Sequence, residues 1–155
     1  MIGVLLVTHD GLGEALAKSV QHVLGPDQPA FEYIGVNRQD LVETVQAWVQ
    51  AALERLDQGQ GVLILTDLFG GTPANVAMSA VQPGRVELVS GVSLPMLVRV
   101  MSAREGSLGE TVARAVCGGR EGIVVASEML AYWAACESDA DDGREHSPPG
   151  AGLQR

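Results

Sequence analysis

The stretch Thr66-Asp67-Leu68-Phe69-Gly70-Gly71-Thr72-Pro73-Ala74-Asn75 directly follows the apolar run Val62 to Leu65. It reads as the end of a strand, a glycine turn and the start of a helix, which commits the chain to a β–turn–α unit. Thr72 suits the N-cap and Pro73 the first helical position, where a missing N–H costs nothing. Gly70 and Gly71 let backbone N–H groups approach an anion closely, so the turn predicts an anion seat at a helix N-terminus. A tight turn needs such glycines even without an anion. Asp67 sits on the rim of that seat, where it would repel a phosphate unless a cationic or proton-bearing group stood between them.

His9 supplies such a group. It follows the apolar run Ile2 to Val7 and precedes Gly11, so it too occupies the polar end of a buried strand. In an open α/β sheet the binding crevice lies at the carboxyl ends of the strands, where the strand order reverses. His9 and Asp67 end the first and third predicted strands, and the topology predicts that they meet. A carboxylate on one ring nitrogen fixes the histidine tautomer and leaves the other nitrogen free as a nucleophile. His22, near a helix end, and His146, near the C-terminus, have no comparable setting.

The rest of the chain alternates helix and strand. Leu12, Leu16, Val20, Val23 and Leu24 recur at helical spacing and stop at Gly25-Pro26. Phe31 to Val36 reads as the second strand. Asp40 and Glu43 resemble a capping box before a helix whose stripe is Leu41, Val45, Trp48, Val49, Ala52, Leu53 and Leu56. After Val62 to Leu65 come a helix from Pro73 to about Val81, a strand Val86 to Val89, and helices from about Pro95 to Ala103, with Met96 in its core stripe, and from Leu108 to Cys117. Gly122 to Ser127 reads as a fifth strand. Alternation with uniformly apolar strands implies a doubly wound, mostly parallel sheet covered on both faces by right-handed βαβ units.

At 155 residues and 46% hydrophobic content the chain is one domain with a sizeable core. A net charge of −9, from 19 acids against 10 Lys plus Arg, argues against nucleic acid and anionic membrane and favours partners with basic faces. Two cysteines, Cys117 and Cys136, lie at no metal-ligand spacing, so neither a zinc site nor a disulfide framework is expected. The N-terminus lacks a basic region before its apolar run and reads as a strand, and no segment is long enough to span a bilayer, so a cytoplasmic protein is expected. Glu137 to Arg155 holds five acids and almost no bulky apolar side chain, and reads as a flexible tail.

Other chemistries fail on particular residues. There is no phosphate loop of the G-x-x-x-x-G-K-[ST] type, and Lys18 is the only lysine. Gly11 and Gly13 begin a dinucleotide fingerprint that Leu16 breaks, and no hydrolase elbow occurs. A receiver-like signalling domain would use Asp67 and Asp10, but needs a lysine at a later strand end. A module that merely holds a small anion at Gly70 to Thr72 also fits the residues.

Three ordered motifs then carry a resemblance: Gly3 to His9 followed by Gly11, the block Thr66 to Asn75, and Gly91-Val-Ser-Leu-Pro95-Met-Leu97. Across roughly residues 1 to 130 the chain resembles the mannose-type enzyme IIA components of the bacterial phosphoenolpyruvate-dependent phosphotransferase system. The resemblance implies strand order 2-1-3-4 with a last strand, here Gly122 to Ser127, pairing antiparallel across a homodimer. It implies that His9 accepts a phosphoryl group from the phosphorylated histidine phosphocarrier protein and passes it to a IIB component, or regulates through its phosphorylation state. Asp67 would orient His9, with Thr66, Gly70, Gly71 and Thr72 at the phosphate and no cofactor or metal. Residues 131 to 155 would form a C-terminal extension.

Overall fold

The computed structural model describes residues 1–139, with side chains described to residue 136. Four strands, β1 (Gly3–His9), β2 (Phe31–Val36), β3 (Val62–Thr66) and β4 (Val86–Ser90), form one sheet in the order β2-β1-β3-β4. All three pairings are parallel, in the register Val4↔Phe31 for β1 and β2, Gly3↔Val62 for β1 and β3, and Val62↔Val86 for β3 and β4. The expected sheet and order are therefore those of the molecule.

The central strands explain why their sequences read as unbroken apolar runs. Leu5 and Val7 of β1 and Ile64 of β3 enter one core with Val45, Val49, Leu53 and Leu56 of α2 (Val42–Leu56) and Val76 of α3 (Thr72–Met78). Val4, Leu6, Leu63 and Leu65 point the other way. They pack with Val20 of α1 (Leu12–Leu24), Met96, Leu97 and Val100 of α4 (Leu94–Met101) and Ala115 of α5 (Leu108–Glu121). A strand with helices on both faces has no solvent face to make polar. Each fully buried Val, Leu or Ile contributes about 1.5–3 kcal/mol.

Several local expectations shift. Trp48 is not core: it is 43% exposed, because the buried face of α2 is Val45, Val49, Ala52, Leu53 and Leu56 and Trp48 falls about a quarter turn to its side. Leu41 is exposed as well and forms the N-cap of α2 without a side-chain bond. Asp40 closes the preceding turn instead, accepting the N–H of Asn37 at 2.7 Å. Buried Gly13, Ala17 and Val20 form the sheet-facing side of α1, while Leu12 and Val23 are exposed. Small residues are needed there, since a Cβ on Gly13 would lie 2.9 Å from Thr8 Oγ1.

Gly122 to Ser127 does not form a fifth strand within the chain. Residues 122–125 are irregular, and Ala126 and Ser127 open a sixth helix, α6 (Ala126–Asp139). A lone extended segment leaves its backbone groups unpaired, so strand geometry there requires a partner edge. Helix α6 carries regular structure through Glu137, where a tail was expected to begin; the remainder of that tail, with His146, lies outside the described residues. The chain divides into one compact unit from Met1 to Arg120 and a second beginning at Glu121. Among the described residues no helix is long and apolar enough to cross a membrane.

Candidate active site

Because β1 and β3 are neighbours whose connections leave in opposite directions, their carboxyl ends open on the crevice of the sheet. The β1–β3 ladder runs up to Val7↔Thr66. Beyond it, the Asp67 carboxylate takes the place of a strand carbonyl. Its Oδ2 accepts the backbone N–H of His9 at 2.9 Å and lies 2.8 Å from His9 Nδ1. Its Oδ1 accepts the N–H of Leu68 at 2.8 Å, and the Thr66 hydroxyl lies 3.5 Å from the same oxygen. One side chain thus fixes both the backbone and the ring of the histidine.

The electrostatics define the tautomer. Burial works to raise the Asp67 pKa, but the His9 N–H, the His9 ring, the Leu68 N–H and the charge of His9 together outweigh it and hold the carboxyl below its ordinary value. An ionised carboxylate only accepts hydrogen bonds, so Nδ1 carries the proton and a neutral ring keeps its lone pair on Nε2. The side chain of Asp67 is 13% exposed and that of His9 50%. The carboxylate is sheltered and the ring is presented to solvent.

Each site residue expected from the sequence has a definite place. Gly71 lies against the ring: a Cβ there would be 2.9 Å from His9 Cε1 and 3.4 Å from Nε2. Gly70 adopts a φ of 83°, which side chains disfavour, and its carbonyl accepts the Asn75 side-chain amide at 3.1 Å. The helix begins one residue earlier than expected, with Gly71 as N-cap of the seven-residue α3, Thr72 as its first residue and Pro73 as its second. The Gly71 N–H is taken by Leu68 O at 3.1 Å, so it closes the turn. Thr72 is exposed on that first turn, whereas Thr66 is fully buried behind Asp67.

Sequence reasoning passed over the other wall of the crevice. His9 and Asp10 share an open cavity of about 550 Å³ with Val36 and the loop 37–40 that follows β2. Asp10 has a φ of 22° and donates its N–H to Val36 O at 3.1 Å, and a Cβ on Gly35 would lie 2.4 Å from Asp10 O. The same strand-end rule that singled out His9 applies to this loop, because β2 is the other neighbour of β1. Among the described residues no cluster of His, Cys, Asp and Glu is arranged to hold a metal ion.

A doubly wound parallel sheet with a carboxylate-held, half-exposed histidine at its switch point defines a class of α/β proteins that present an imidazole in the sheet crevice. The family described as "PTS system fructose IIA component" matches residues 3–116, and the chain belongs to that mannose-type IIA family. It is 37% identical over 125 residues to the "PTS system mannose-specific EIIAB component" of Escherichia coli (strain K12), covering 79% of this chain and 38% of that protein's length. It is 33% identical over 111 residues to the "PTS system fructose-specific EIIA component" of Bacillus subtilis (strain 168), covering 68% of this chain and 72% of that protein. Its fold is similar to the crystal structure of phosphotransferase system component EIIA from Streptococcus agalactiae, with a TM-score of 0.72 at 26% identity over 82% of this chain and 98% of that one.

Proposed function

We propose that the protein is a phosphoryl relay in which Nε2 of His9 accepts a phosphoryl group from the phosphorylated histidine phosphocarrier protein and passes it to a IIB component or a regulatory target. The observation that carries this reading is the bond between His9 Nδ1 and Asp67 Oδ2 at 2.8 Å, with the opposite nitrogen open beside Gly71. The lone pair on Nε2 attacks phosphorus, the donor's N–P bond breaks, and its electron pair returns to the donor imidazole. Asp67 holds the Nδ1 proton throughout and stabilises the charge that the ring gains. A phosphoramidate is already a reactive donor, so positioning and charge placement supply the catalysis.

Leu68 and Phe69, 62% and 70% exposed in the turn between Asp67 and Gly71, give a protein partner an apolar surface to dock on. The setting is cytoplasmic, where such donors are made. Incubation with phosphoenolpyruvate, its phosphotransferase and the phosphocarrier protein should label wild type and leave His9→Ala unlabelled with an unchanged melting temperature. Normal labelling of His9→Ala would end the relay reading. Label that survives acid but is lost in alkali would favour the receiver-like reading at Asp67.

We also infer a homodimer in which residues 122–125 of each copy pair with the β4 edge of the other. Ile123 at 83%, Val124 at 55% and Val125 at 53% exposure form an apolar run without cover in the single chain. A chain ending at Arg120 should aggregate or unfold, because the edge is then bare. A well-folded monomer from that truncation would contradict the exchange.

A further inference from the structure

We propose that Arg38 is the residue that holds the phosphoryl group once it sits on His9. The inference rests on the reading of His9 as the phosphoryl acceptor and assigns the charge that such an acceptor needs. Phosphorylation adds about two negative charges at the ring. The neighbouring charges oppose it: Asp67 is bonded to the same imidazole, and Asp10 and Asp40 line the same cavity. The Gly71 N–H is occupied by Leu68 O, so that part of the glycine turn does not face the group.

Among the described residues lining the cavity with His9, Arg38 is the one cationic side chain. Other cations of the fold are committed elsewhere: Arg55 pairs with Glu32, Arg85 with Asp57 and Lys18 with Glu14. Arg38 is exposed and lies two residues beyond Val36, which pairs with His9 across the sheet. Of the cavity's acids, Asp40 is turned back onto the N–H of its own loop at Asn37. A guanidinium presents parallel N–H donors that match two phosphoryl oxygens, which a lysine in the same place does not do. The cavity of about 550 Å³ is bounded by His9 on one side and the loop that carries Arg38 on the other.

The step itself is unchanged by Arg38. The Nε2–P bond forms as the donor's N–P bond breaks, and no proton moves through the arginine. Its effect falls on the phosphorylated product and on the transition state that resembles it in charge.

The test uses the full chain as wild type, Arg38→Gln and Arg38→Lys, each phosphorylated through the phosphocarrier protein and followed by 31P NMR across pH. In Arg38→Gln the ionisation midpoint of the phosphoryl group should rise by about half to one pH unit, since a contacting cation favours the dianion. The phosphorylated fraction at equilibrium with the phosphocarrier should fall about fivefold. Arg38→Lys should recover part of both, and none of the variants should change the melting temperature. An unchanged midpoint in Arg38→Gln overturns the assignment, even where transfer slows, because the arginine then meets the partner protein and not the phosphoryl group. A wild-type chain that carries phosphate on a residue other than His9 overturns the relay reading, and this inference with it. Labelled His9 with an insensitive midpoint overturns this inference alone.

Discussion

At the carboxyl ends of β1 and β3, His9 meets Asp67 with half of its side chain open to solvent, whereas at the opposite ends of β1 and β2 Arg104 is 5% exposed and donates to backbone carbonyls. The Arg104 guanidinium donates to Ile2 O at 3.4 Å and Ala30 O at 3.2 Å, and its own carbonyl accepts the Ile2 N–H at 3.1 Å. Burial pushes its pKa below the ordinary arginine value, with Glu105 acting weakly the other way. Both are polar groups at the rim of one sheet, yet Arg104 closes a seam and His9 opens one. A structural polar group spends its hydrogen bonds on the chain it joins; a working one is fixed on one side and left unspent on the other.

Asp67→Asn should have the largest effect, and it falls at the His9 end of the sheet. Oδ2 of Asp67 faces two donors, the N–H and ring of His9, while Oδ1 faces the Leu68 N–H. An amide has one oxygen and one NH₂, so whichever way it turns, a donor meets a donor. The negative charge that sets the tautomer is also lost. Phosphoryl transfer should slow about 10²- to 10³-fold, or about 3–4 kcal/mol in barrier, with some stability lost from the conflict of donors. A rate within threefold of wild type would remove Asp67 from the machinery. The pH dependence has a definite sign: Asp67 titrates below its ordinary value of 3.8, so the stability it adds is complete above that pH and is lost as pH falls through the lower folded value. Asp67→Asn should flatten that part of the acid-unfolding curve.

Arg104→Ala should strike the other end. It leaves Ile2 O and Ala30 O without the charged donor, at about 1.5–3 kcal/mol, partly offset because the Nε of Arg104 is itself buried without a partner. Chemical denaturation should report a net loss of about 2 kcal/mol, while the folded fraction transfers phosphate at the wild-type rate. Slower transfer by fully folded Arg104→Ala would show that the two ends of the sheet are coupled.

Gly71→Ala sharpens the contrast within the site. Its Cβ would stand 2.9 Å from His9 Cε1, tighter than van der Waals contact, and the ring would have to turn away from Asp67. A transfer rate lower by about tenfold is expected, equivalent to about 1.4 kcal/mol, with little loss of stability because the ring is half exposed. Unchanged transfer would mean that the ring orientation does not limit the reaction.

Much of this was legible in the sequence for a simple reason: in a parallel sheet the chemistry gathers where apolar runs end, and His9 and Asp67 each follow such a run. The meeting of that pair was a topological expectation, and the strand order came with the family resemblance. What failed was finer. Thr72 reads as an N-cap by residue type, but Pro73 tolerates the second helical position as well as the first, and the backbone set Gly71 there. Trp48 fits a helical stripe to within a quarter turn, which periodicity does not resolve. Ile123, Val124 and Val125 are apolar and β-branched like a strand, and pairing is a property of two segments, which one segment cannot reveal. Arg104 gives no signal at all, because its partners are carbonyls, which every residue has.

The smallest effect belongs to Asp57 and Arg85, which separate burial from charge at the Arg104 end of the sheet. Asp57 Oδ2 accepts from Arg85 Nε at 3.0 Å, and its Oδ1 accepts the N–H groups of Gly59 at 2.9 Å and Gly61 at 3.1 Å. The Arg85 bond is the first cause that holds the Asp57 carboxyl below its ordinary value, followed by the Gly59 N–H, with burial opposing. Asparagine keeps an oxygen for both glycine N–H groups and turns its NH₂ toward Arg85, whose side chain, 69% exposed, can swing away into water, so the loss is essentially that of the ion pair. Asp57→Asn should therefore cost about 0.2–1 kcal/mol at low salt and less at high salt, where exposed pairs are screened. The stability Asp57 adds is present above pH 3.8 and lost below it, the same sign as Asp67, but its removal should leave phosphoryl transfer untouched. A cost above about 2 kcal/mol that persists at high salt would make this turn a buried seam like Arg104, and a change in transfer rate would end the division between the two ends of the sheet.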